Sequence, residues 1–167
     1  VTLGASGKTI TVPAGATITN NGTQTGFGGT NDALFYAYCN DGNAAFNNAT
    51  DTTVVLNEEL FDSDSKFNTS NYRFTPGVAG KYFFYGQVRM NTNQAATLFG
   101  TSISKNGATI ASARFSVENQ GSGQVTAIVD SNTTDYFTLE AYQNTGYNHN
   151  FGASSSTTYF TGFKLIT

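Results

Sequence analysis

"GKYFFYGQVRM", running from Gly80 to Met90, alternates with a period of two. Tyr82, Phe84, Val88 and Met90 fall on one side, and Phe83, Tyr85, Gln87 and Arg89 on the other, which is the side-chain geometry of a β-strand. The same reading extends outward in both directions. "DYFTLEAY" (Asp135–Tyr142) sends Phe137, Leu139 and Ala141 inward and Tyr136, Thr138 and Glu140 outward, while "GQVTAIVD" (Gly123–Asp130) places Val125, Ala127 and Val129 on one face. Between "LFGTSIS" and "ATIASARF" stands Lys105-Asn106-Gly107. Asn-Gly suits the positive φ angles of a type I′ turn, so a hairpin is expected there. Short alternating runs separated by Gly, Asn, Ser and Thr predict an all-β chain, an antiparallel β-sandwich or jelly roll of about eight to ten strands.

Composition narrows the function classes. The chain has 167 residues, only 11% of them charged, with a formal net charge of −3. Eight Lys and Arg residues, scattered from Lys8 to Lys164, do not form the basic patch that a nucleic-acid partner demands. No apolar stretch is long enough for membrane insertion, and no signal peptide is legible. Cys39 is the only cysteine, which excludes an intrachain disulfide and a Cys-based metal site. It lies in the apolar run "ALFYAYC" and reads as a small buried residue.

The opening segment, residues 1–30, reads as a β-rich stem or connector ahead of a globular head over 31–167. Val1, Leu3, Ile10, Val12 and Ile18 are too few to build a core in one copy. "GASGKT" (Gly4–Thr9) imitates the end of a phosphate-binding loop, yet Thr2 stands where the motif needs glycine, and "ITVP" follows in place of a helix.

Nothing in the chain forms a catalytic constellation, so no enzyme activity and no cofactor are expected. His149 is the only histidine, and it lies in a polar loop. The carboxylates of "NEELFDSDS", Glu58, Asp62 and Asp64 among them, are candidate oxygen ligands for a hard cation, but their spacing is not that of a calcium loop. Binding has a better address in the loop from Gln143 to Thr157, where Tyr147, Asn148, His149 and Asn150 stand in a row. Aromatic rings and Asn side chains together suit sugar hydroxyls. The alternative is that Tyr147 and Phe151 pin the loop to the sandwich while the Asn residues form turns. "RMNTNQAAT" (Arg89–Thr97) is a second candidate loop.

The tail "YFTGFKLI" (Tyr159–Ile166) resembles the closing strand of the complement component 1q and tumour-necrosis-factor-like globular heads. "ALFYAY" (Ala33–Tyr38), "FNTSNYRFTPGVAGKYFF" (Phe67–Phe84), the Lys-Asn-Gly hairpin and "QVTAIVDSNTTDYFTLEAY" (Gln124–Tyr142) are similar to further family segments, in the family's order. Pro76 stands where many members have cysteine, and Thr134 where they have glycine. The resemblance implies a homotrimer with the last strand near the threefold axis. With Tyr159, Phe163 and Leu165 turned to the core, Phe160 and Ile166 would face a neighbouring sheet or subunit, which makes Phe160, Gly162 and Ile166 the candidate trimer-interface residues; the alternative is a monomeric jelly-roll sandwich with an unusually apolar last strand. Residues 2–28 also resemble stem segments of marine bacteriophage tail fibres. Together the resemblances imply a non-enzymatic virion surface protein. Its expected partners are copies of itself, other virion proteins and a host-surface glycan or protein; the alternative is a capsid decoration or head-fibre protein.

Overall fold

The computed structural model describes residues 7, 9, 11–17, 19, 21, 33–92 and 94–165. Most of the expected stem, including all of the Gly4–Thr9 imitation but Gly7 and Thr9, lies outside them. Its described stretch 11–17 is exposed and holds one turn, closed by the Ala16 N–H on the Pro13 carbonyl at 3.1 Å.

The remainder is all strand and loop among the described residues. In chain order the strands are β1 (Phe35–Tyr38), β2 (Ala45–Phe46), β3 (Thr52–Thr53), β4 (Glu58–Asp62), β5 (Phe67–Asn68), β6 (Arg73–Phe74) and β7 (Gly80–Asn91). Then come β8 (Ala96–Lys105), β9 (Ala108–Val117), β10 (Ser122–Ser131), β11 (Phe137–Gln143), β12 (His149–Phe151) and β13 (Tyr159–Lys164). They form two antiparallel sheets. One runs β10–β7–β13–β1–β4, with β12 and β2 continuing the ladder past Met90; the other runs β5–β6–β11–β8–β9, with β3 beside β11.

The alternation read from the sequence is the burial pattern observed. Tyr82, Phe84, Val88 and Met90 are fully buried, as are Phe137, Leu139 and Ala141. The β8–β9 hairpin turns at Asn106 (φ 53°) and Gly107 (φ 81°), the type I′ geometry expected of Asn-Gly.

Aromatic rings from both sheets fill the space between them. Phe35 stacks on Phe74 at 4.1 Å and meets Phe160 edge-on at 5.1 Å, while Phe84 lies 4.4 Å from Phe137 and 5.5 Å from Phe160. Each such pair adds about 0.5–1.5 kcal/mol beyond the area it buries. Glycines make room for the rings. In the β7–β13 ladder Phe84 faces Gly162 and Gly86 faces Phe160. A Cβ on Gly162 would sit 2.4 Å from Phe84 Cδ1, and one on Gly86 would sit 2.2 Å from Leu139 Cδ1.

This ladder inverts the expected phase of the tail. Phe160 is completely buried between the sheets and Gly162 is buried beside it, so neither presents itself to a neighbouring subunit; Ile166 lies outside the described residues. Tyr159, Phe163 and Leu165, expected inside, stand half-buried on the outer face. The reason is register. β13 pairs with both β1 and β7, and Phe160 opposes Gly86, which shares its side with the core residues Phe84 and Val88. An apolar residue on each face of β13 left alternation with two equal phases.

At the hairpin end, Asp135 binds three elements together. Its carboxylate accepts the Asn132 N–H at 2.8 Å, pairs with Lys105 Nζ at 2.8 Å and accepts from Asn106 Nδ2 at 2.7 Å. The Asn132 backbone donor first, then Lys105 and Asn106, hold its pKa down at about 2, against an ordinary 3.8. A carboxyl depressed by folding stabilises the fold above its unfolded pKa and loses that contribution as pH falls through the folded one. Wild type should therefore lose stability relative to an Asp135→Asn variant as pH falls from about 4 to about 2. Denaturant midpoints of both proteins across that window test this, and parallel curves would refute it.

Candidate binding surface

The strand registers give the sandwich two distinct ends. β1 enters at Phe35, paired with Gly162, and β13 leaves at Lys164, paired with Tyr82, so residues 33 and 165 lie at one end, beside the Asn106–Gly107 turn. At the opposite end lie the loop around Asn40–Thr50, the β7–β8 and β9–β10 connections, and the loop that follows Gln143. Both candidate binding loops thus share the end remote from where residues 1–32 join the head.

Side-chain hydrogen bonds knit these loops together. Gln143, fully buried, donates through Nε2 to the Tyr147 carbonyl at 2.8 Å and to the Phe46 carbonyl at 3.3 Å. Asn48 Oδ1 accepts the Gly146 N–H at 2.8 Å, and Asn148 Oδ1 accepts the Asn48 N–H at 2.8 Å. Asn150 Nδ2 donates to the Gly42 carbonyl at 2.8 Å. His149 Nε2 lies 2.7 Å from Thr145 Oγ1, and burial holds its pKa below the ordinary histidine value. Asn144 ties the loop to β8, accepting the Leu98 N–H at 2.7 Å and donating to Thr97 Oγ1 at 2.8 Å.

The two readings of this loop therefore divide residue by residue. Phe151 is the pin, fully buried and stacked on Phe46 at 4.7 Å. Tyr147 is not a pin: 67% of it is exposed. Asn148 and Asn150 each commit one polar atom to holding the loop. What faces solvent is a tyrosine on a braced loop, with the amide NH2 groups of Asn48 and Asn148 left over.

The acidic turn behaves differently. Glu58 opposes Tyr38 while Asp62 opposes Phe35, which separates them along β4 by roughly 13 Å at the rise of a strand. Asp62 Oδ2 accepts the Phe67 N–H at 2.7 Å, and Asp64 Oδ2 accepts the Ala33 N–H at 2.8 Å. Asp62 thus closes the β4–β5 turn and Asp64 ties that turn to the start of the head, and no group of three metal-ligating side chains forms among the described residues. Cys39 is buried, with its thiol pKa raised chiefly by that burial.

A surface the sequence reading missed covers the outer face of the first sheet. Tyr159 stacks on Tyr36 at 4.9 Å and on Tyr85 at 5.6 Å; Phe61 lies 5.8 Å from Tyr36 and Phe163 5.3 Å from Phe83. Ile128, in register with Phe83, is 69% exposed, and Phe61 is 45% exposed. Burial, with Tyr159 alongside, pushes the Tyr36 and Tyr85 hydroxyls up to about 12, so both stay neutral. The signal was present in "FYAY", "YFFY" and "YFTGF", each aromatic on both strand faces.

No family model matches the chain, and no curated protein does either. Solved structures do. Murine APRIL, in structures at pH 8.5 and pH 8.0, aligns over 79% of this chain and 98% of its own, with TM-scores of 0.60 and 0.61 at 15% and 14% identity. The globular domain of zebrafish complement 1qA aligns over 80% of this chain and 97% of its own, with a TM-score of 0.55 at 17% identity. Identity this low carries the fold alone: the sandwich is a jelly roll of the complement-1q and tumour-necrosis-factor-like type.

Proposed function

We propose that this chain is the non-enzymatic head of a homotrimeric virion fibre, attaching to a host-surface glycan through the loop end that carries Tyr147. The polarity of the head is the main support. The chain's earlier residues join at one end, and the braced Tyr147 loop stands at the other. The likeness of residues 2–28 to phage fibre stems supplies the virion setting.

The aromatic outer face supports self-association. Its rings on β1, β7 and β13 are open on one side, and the free edges β9 and β10 carry the exposed Phe115, Ile110 and Ile128. Face and edge are largely different patches, so the natural contact is heterologous, and a heterologous contact that closes makes a ring. Three heads on one axis also raise avidity for a repetitive surface by about 10²-fold or more.

Tyr147→Ala tests the attachment reading. The ring is mostly exposed, so thermal stability should stay within about 0.5 kcal/mol of wild type. Binding of labelled head to a panel of bacterial cells should fall by about tenfold, the scale of one lost stacking contact. Unchanged cell binding would overturn the assignment of this loop. A second reading, a capsid decoration or head-fibre protein without a specific ligand, is favoured by the use of Asn148 and Asn150 as loop braces. It predicts attachment to capsid shells and none to cells.

A further inference from the structure

Charge is distributed unevenly between the two ends. Lys66, Arg73, Lys81, Lys105 and Lys164 lie at or near the end where residues 33 and 165 stand. The loop end has Arg89 and Arg114, each with a side-chain partner. Arg89 Nη2 donates to Gln120 Oε1 at 2.6 Å. Arg114 pairs with Asp51 at 3.0 Å and lies over the Tyr142 ring at 4.8 Å. Asp41 stands beside Gly42, whose carbonyl Asn150 holds, and Glu118 lies in the β9–β10 connection. Asp51 keeps 54% of its side chain exposed beyond its ion pair.

Recognition of an anionic polymer depends on cations that can meet phosphate, sulfate or carboxylate groups, preferably as paired donors. At the loop end only Arg89 and Arg114 among the described residues are cations: Arg114 is paired with Asp51, Arg89 keeps its charge while giving an N–H to the neutral Gln120, and Asp41, Asp51 and Glu118 outnumber the two, so the local charge is unfavourable to such a ligand. What the loop does offer is an exposed ring and neutral donors. Asn48 and Asn148 spend their Oδ1 atoms on backbone N–H groups and keep their NH2 groups, while His149 is held below its ordinary pKa by burial.

We infer that the Tyr147 end selects uncharged, hydroxyl-rich saccharides and rejects anionic ones. The inference rests on the glycan-attachment reading and narrows it to a ligand class. The ring takes the apolar face of a sugar, and the amides donate to hydroxyl or ring oxygens. No ion pair forms, so affinity is nearly independent of salt.

The test uses the full chain against immobilised neutral polysaccharides (a mannan and a galactan) and two anionic ones (an alginate and a sulfated galactan), at about 50 and about 500 mM salt. Tyr147→Ala and the double variant Asp41→Asn with Glu118→Gln run in parallel. The expected result is binding of a neutral polymer that changes less than about twofold with salt and falls about tenfold in Tyr147→Ala. The double variant should keep the neutral binding and gain several-fold on the anionic polymers at low salt. Preferential wild-type binding of an anionic polymer, weakening as salt rises, would overturn the inference but leave glycan attachment standing. Binding to none of the four polymers, or binding indifferent to Tyr147→Ala, would overturn the attachment reading itself.

Discussion

Phe160→Ala should lower the unfolding free energy by about 3–5 kcal/mol, the range for removing a buried phenylalanine from a close-packed core. Phe160 has no exposed surface and touches the rings of Phe35 and Phe84, so its removal opens a cavity where two sheets and two aromatic pairs meet. Adding volume to the same ladder should also destabilise. Gly162→Ala puts a methyl 2.4 Å from Phe84 Cδ1 and 2.9 Å from the Phe83 carbonyl oxygen. The carbonyl is fixed by the sheet and the ring is wedged among other rings, so the strain should cost about 1–3 kcal/mol. Denaturant unfolding at several protein concentrations measures both effects. A loss of stability independent of concentration places Phe160 in the core of one chain. A loss that vanishes on dilution, where any assembly comes apart, would restore the interface role that the tail sequence first implied.

Ile128→Glu and Phe61→Glu should act the other way, on assembly with little change in the fold of one chain. Ile128 is mostly and Phe61 nearly half exposed on a single copy, so a carboxylate at either position can remain hydrated. In a closed assembly the same carboxylate would be buried against an aromatic face, and for position 128 the cation two places along the ladder, Lys81, is already paired with Asp130. A buried unpaired charge costs several kcal/mol, and each interface of a ring would pay it. Wild type should run at three times the 17.7 kDa of one chain in light scattering after size exclusion, and either variant as a monomer. The circular dichroism of the variants should match wild type. Trimers surviving both substitutions would show that this face is not the interface, and a monomeric wild type would remove the trimer from the proposed function.

Most of the sandwich was legible because most of its strands have one apolar and one polar side. β10 is an example: Val125, Ala127 and Val129 could take only one orientation, and they took it. Turn chemistry was equally readable at Asn106–Gly107, where the backbone conformation dictates the residues. Legibility failed where the pattern carried no asymmetry. β13 is apolar on both faces, and its phase is decided by the partner strand, through Gly86 opposite Phe160 and Phe84 opposite Gly162. No local feature of "YFTGF" contains that information. The candidate loop was legible only as composition. Which of Tyr147, Asn148 and Asn150 faces outward depends on Asn48 and Gly42, roughly a hundred positions earlier in the chain.

The place of β13 at the middle of its sheet also bears on how the chain is made. Thr161 donates its hydroxyl to the Phe35 carbonyl across 126 positions, and on its other side β13 zips against β7. A ribosome adding about 5–20 residues each second exposes β1 and β7 several seconds before the strand that joins them exists. Until then the first sheet has a gap at its centre, with Phe35 and Phe84 lacking the ring that later packs against both. Closure must wait until β13 has been made, and its long-range pairing belongs to the slow, millisecond-to-second class of folding. The nascent chain carries two unpaired, aromatic strand edges throughout that interval, and newly made copies that stay close together are at risk of exchanging their β13 strands.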